Sequence, residues 1–131
     1  MHIVSLYASL LALLFVALSV RTIRLRRSEG IAIGDAGNKT MLRAMRVHAN
    51  FAEYVPLSLL LVYFVEAGGA PAALVHFLGL CLLAGRASHA YGVSRVKEDF
   101  RFRVSGMAMT FTVLLVSSSY LLYVCASKVA A

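Results

Sequence analysis

Between residues 43 and 56 the sequence reads RAMRVHANFAEYVP, and within it Arg43, Arg46, Asn50 and Glu53 follow one another at spacings of three, four and three residues. On a helix those spacings place all four side chains on one face. The ridge passes from guanidinium through amide to carboxylate, with Glu53 about two turns, or ~10 Å, from Arg46. Clustered guanidiniums bind carboxylates, and an acid beside them can take an ammonium, so the ridge suits a ligand that carries both.

A second polar group stands in GRASHAYG, where Arg86 and His89 lie three residues apart on one helical face. Arg101 and Arg103 open the last apolar run, and Arg24, Arg26 and Arg27 follow the first. Arg26, Arg27, Arg95 and Lys97 read as anchors that snorkel to lipid phosphates. Arg46, Arg86 and Arg103 share faces with other polar groups and are the stronger functional candidates. His2, His48, His76 and His89 do not cluster, and neither Cys-x-x-Cys nor His-Glu-x-x-His occurs, so no metal site is expected. His76 reads as a packed, hydrogen-bonded residue, and Ser117 to Ser119 as donors to backbone carbonyls or neighbouring helices. Cys81 and Cys125 sit in separate apolar segments and read as buried thiols.

The elements that must hold these groups are membrane helices. The chain has 131 residues of which 60% are hydrophobic, and its mean hydropathy is +0.80, well above that of an ordinary soluble domain. Apolar runs predict spans at about 2–20, 39–65, 71–91 and 104–126, an all-α bundle of four transmembrane helices in a single domain. Pro71 suits a helix start. Pro56 falls inside the second span, where neighbours can satisfy the freed carbonyl. The net charge of +7 is no sign of nucleic-acid binding, because seven of the thirteen Lys and Arg lie from Arg21 to Arg46 and five from Arg86 to Arg103, between apolar runs. Counting those basic residues puts the loops after spans one and three in the cytoplasm and both termini outside. The first span, with no basic residues before it, reads as a retained anchor.

The motif RAMRVHANFAEYVP resembles the second-helix signature of the MAPEG family, membrane-associated proteins of eicosanoid and glutathione metabolism. Arg46, Asn50 and Glu53 match its Arg, Asn and Glu. IRLRR after the first span, GRASH at the end of the third and an arginine opening the fourth extend the likeness over most of the chain, closest to the small bacterial members of the inner membrane and similar to microsomal glutathione transferases. The resemblance implies a left-handed four-helix protomer, a homotrimer, and glutathione held between subunits near the cytosolic face. It implies glutathione binding by Arg24, Arg46, Asn50, Glu53, Arg86 and His89, with Glu53 on the ammonium, and thiolate stabilisation by Arg103 as the catalytic group. Arg101 competes for that place. The sequence departs from the family where tyrosines are common: Tyr91 comes early, Val93 stands further on, and Met107 occupies the position one turn into the fourth helix. Ser105 follows Arg103 by two residues rather than one.

Three functions compete. The first is a glutathione transferase or peroxidase attacking a lipophilic electrophile or hydroperoxide from the bilayer. The second is a non-catalytic lipid-binding scaffold of the same fold. The third is a small transporter using Glu53 as a coupling carboxylate. The complete set Arg46, Asn50, Glu53 and Arg103 favours the first, since a scaffold has little need of it.

Overall fold

The computed structural model describes residues 2–95 and 99–129; Lys97, expected as an anchor, lies outside them. Four helices account for most of the described residues: α1 (Ile3–Glu29), α2 (Lys39–Ala67), α3 (Ala72–Ser94) and α4 (Phe100–Val129). All four are long and apolar enough to cross a membrane. At ~1.5 Å per residue they measure ~35 to ~45 Å, longer than the ~30 Å hydrocarbon layer, so their ends project beyond it.

That excess explains where the helices outrun the apolar spans. α1 continues past Val20 through RTIRLRRSE, because Arg and Leu favour helix and nothing interrupts it before Gly30. Gly30, at φ 64°, adopts the left-handed conformation and closes the last turn. α2 begins at Lys39 because the Asn38 side-chain oxygen accepts from the backbone N–H of Thr40 at 2.9 Å and Met41 at 3.1 Å. Pro56 lies inside α2 without ending it.

α2 and α3 form the centre of the bundle, each packed against the other and against both flanking helices; among the described residues α1 and α4 do not meet. Leu11, Val47, Val62, Leu78, Leu82 and Val113 are fully buried between them. Large apolar side chains such as Leu13, Leu60, Phe77 and Leu122 point outward, as hydrocarbon surroundings allow. The tightest crossing joins α3 to α4. A Cβ on Gly106 would stand 2.5 Å from the Gly85 carbonyl oxygen and 2.6 Å from the His89 nitrogen, so only glycine permits this approach.

The interior polar groups are largely paired. Tyr7 and His76 bond at 3.1 Å, and His48 bonds Ser19 at 3.0 Å while stacking on Phe15. Ser117 departs from expectation: its buried hydroxyl has no partner among the described residues. Cys81 is half-buried, but Cys125 is exposed on α4 rather than buried, and both thiols are free.

Candidate functional site

A cavity of about 540 Å³ opens at the basic end of the bundle, where α2 and α4 begin and α3 ends. Arg43, Arg46 and Asn50 line it from α2, His89 and Val93 from α3, and Arg103 from α4; Lys39 and Leu42 complete it from the first turn of α2. Three of these helix termini shape its field. The N-terminal ends of α2 and α4 carry partial positive charge, which adds to that of the side chains. The opposing C-terminal end of α3 is partly satisfied from within, since Arg43 Nη1 donates to the Val93 carbonyl at 3.2 Å.

Arg103 owes its position to the α3–α4 contact. A Cβ on Gly92 would lie 2.8 Å from the Arg103 backbone nitrogen, so the start of α4 rests directly on the end of α3. Ser88 Oγ donates to the Phe102 carbonyl at 3.0 Å and meets Ser105 Oγ at 3.3 Å. Asp99 holds the first turn, accepting from Arg101 N at 3.0 Å through its side chain and from Arg103 N at 3.4 Å through its carbonyl.

Arg86 sits behind this lining, 1% exposed. Its Nη1 donates to Asn50 Oδ1 at 2.7 Å, and its Nη2 faces the Gly106 carbonyl at 3.4 Å and Met107 Sδ at 3.3 Å. Its guanidinium carbon lies 5.8 Å from the centre of the Tyr54 ring. One buried cation thus ties α2, α3 and α4 together.

Of the residues expected to act together, the single chain brings Arg46, Asn50, His89 and Arg103 to one cavity and places Arg86 against Asn50. Glu53 is exposed on α2, one turn beyond Asn50 and off the cavity lining. Arg24 lines a separate concavity with Arg21, Ser28 and Thr40. Arg101 and Arg103 are both exposed, but only Arg103 lines the cavity. Lys39 is the residue that the sequence reading missed. Extending the ridge one turn back from Arg43 by the same four-residue step would have found it.

The polar lining is rich in donors: three guanidiniums, one ammonium and one amide, with His89 able to serve either way. No carboxylate or phenol occurs among the described lining residues. Tyr91 instead packs edge-on against Phe102, with the Arg95 guanidinium over its ring at 4.4 Å. Such a set suits anionic acceptor groups of a ligand and offers no acidic partner for a cationic one.

The family model for MAPEG proteins matches residues 4–123. The inner membrane protein YecN of Escherichia coli strain K12 is 42% identical over 111 residues, a stretch covering 85% of this chain and 83% of that protein. YecN of Escherichia coli O6:H1 strain CFT073 matches to the same extent. No solved structure gives a significant match.

Proposed function

The chain belongs to the MAPEG family, and from that premise we propose that it is an integral inner-membrane protein that binds glutathione and activates its thiol against lipophilic electrophiles or hydroperoxides. The observation that carries this reading is the convergence of Arg46, Asn50, His89 and Arg103 on one donor-rich cavity at the basic end of the bundle. With the basic loops cytoplasmic and the termini outside, that end faces the cytosolic thiol pool.

Bound glutathione supplies the sulfur nucleophile. Arg43 and Arg46 hold its carboxylates, with Lys39 in support. Arg103 favours the thiolate over the thiol, because a nearby guanidinium stabilises the charged form, and the N-terminus of α4 adds to that field. Orientation and thiolate formation then lower the barrier to attack on an electrophile arriving from the bilayer.

Glu53 and Arg24 enter through a homotrimer. A carboxylate left facing hydrocarbon costs several kcal/mol, and a second copy against the exposed α2 face would remove it from lipid. In that assembly Glu53 serves as partner for the ammonium, and Arg24 reaches the site from a neighbouring subunit.

Calorimetry with glutathione on the detergent-purified parent, Glu53→Gln and Arg103→Ala tests the assignment, with the ultraviolet absorbance of bound thiolate as the second readout. Binding lost in Glu53→Gln and thiolate lost in Arg103→Ala would support both roles. A folded trimeric parent that ignores millimolar glutathione would remove the reading.

One observation favours the scaffold alternative. A groove of about 350 Å³ between α1 and α2 is lined entirely by apolar residues, among them Phe15, Phe51, Val55 and Pro56. It suits an acyl chain and has no polar group for glutathione.

A further inference from the structure

An asparagine in a ligand cavity is ordinarily ambiguous, since its amide can turn its oxygen to a cation or its NH₂ to an anion. At Asn50 that choice is made by a neighbour. The Arg86 guanidinium bonds to it, with Nη1 2.7 Å away. A guanidinium only donates, so the amide atom facing it must be the oxygen. Arg86 in turn has little freedom: it is buried, with its other terminal nitrogen against the Gly106 carbonyl and Met107 Sδ. Among the described residues no protein group accepts from Asn50 Nδ2, and that nitrogen is not among the buried atoms left without a partner. Asn50 lines the cavity, so the NH₂ is the end available to a ligand there.

We infer that Arg86 is a positioning residue that fixes the polarity of Asn50, presenting the amide NH₂ to the cavity, so that the ligand group seated against it is an acceptor, a carboxylate or a carbonyl. Arg86 acts through Asn50 and does not itself touch the ligand. The bond also joins α2 to the α3–α4 pair that carries His89 and Arg103, so it sets the distance between the two sides of the cavity. An ammonium is excluded from this seat by both the NH₂ and the surrounding cations. The ligand half of the inference rests on the glutathione reading; the protein half does not.

Two substitutions at one position separate the halves. Asn50→Asp keeps an oxygen toward Arg86 and replaces the cavity-facing NH₂ by a second oxygen. Asn50→Leu removes both. In thermal unfolding without ligand, Asn50→Asp should melt at or above the parent, and Asn50→Leu about 5 °C or more below it. In calorimetry, Asn50→Asp should bind glutathione about 10-fold or more weakly than the parent despite its intact fold, because an anionic oxygen then faces a carboxylate or carbonyl. A merely structural role for Asn50 would leave that affinity unchanged. Asn50→Asp melting as low as Asn50→Leu would overturn the Arg86 contact, and Asn50→Asp binding glutathione as tightly as the parent would overturn the orientation. Should the parent itself bind none, the glutathione reading falls, and the unfolding comparison alone upholds or overturns Arg86 as the group that fixes Asn50.

Discussion

The carboxylate of Glu66, in the last turn of α2, accepts from the backbone N–H of Ile3, in the first turn of α1, at 3.0 Å, and its second oxygen accepts from Val4 N at 3.2 Å. α1 has no acid in its own first turn and no side-chain cap from His2. Glu66 therefore supplies both the missing acceptors and the negative charge that the helix start favours.

Replacing Glu66 by Ala should lower stability by about 1–2 kcal/mol, the ordinary worth of a helix cap with a favourable charge. The contact lies at the opposite end of the bundle from the cavity, so glutathione affinity should stay within a factor of two. Thermal unfolding in detergent and calorimetry on the same preparation check both. A change in affinity with no change in melting temperature would show that the capping role is misassigned.

Arg101 and Arg103 differ by two residues, but only Arg103 lines the cavity. Arg103→Ala should abolish the thiolate absorbance of bound glutathione and reduce turnover about 10²-fold, the usual effect of removing a key charge-stabilising donor. Arg101→Ala should leave both near the parent. The reverse pattern would shift the thiolate role to Arg101.

Gly106 allows α4 to lie against α3. A methyl group there meets the backbone of Gly85 and His89 rather than flexible side chains, so the helices must separate. Gly106→Ala should cost about 1–3 kcal/mol of stability, and it should also weaken glutathione binding, since His89 and Arg103 are carried on the two helices forced apart. Gly85→Ala should be milder, because its nearest contacts, Met109 Cβ at 2.9 Å and the Gly106 carbonyl oxygen at 3.0 Å, are less close than those at Gly106. Equal tolerance of both substitutions in thermal unfolding would show that the crossing is looser than the structure has it.

The four helices were legible because length and apolarity are enough to mark a membrane span, and the ridge of Arg43, Arg46 and Asn50 was legible because all three lie on one helix, where spacing determines facing. Contacts between distant segments leave no such signal. Glu66 is 63 residues from Ile3, and its stretch reads locally as a turn. Arg86 is 36 residues from Asn50; its burial follows from the packing of α2, α3 and α4 together, while its three-residue spacing from His89 reports only a shared face of one helix. Glu53 shows the converse. Its place on the ridge was readable, but the Glu53 side chain is exposed and off the cavity that Arg43, Arg46 and Asn50 line.

The apolar groove between α1 and α2 separates the enzyme and scaffold readings. Ala12 lines it from α1 and is not among the residues lining the cavity, which belong to α2, α3 and α4. Ala12→Phe would fill the groove with a ring while adding no charge and breaking no bond. If the groove holds an acyl chain, binding of a fluorescent fatty acid should fall about tenfold, and glutathione affinity should remain within a factor of two because the two sites use different faces of α2. Unchanged fatty-acid binding would remove the groove as a lipid seat and with it the main support for a scaffold. Loss of both ligands together would instead mean that lipid and thiol meet in one continuous site, which is what a transferase acting on bilayer-borne substrates requires.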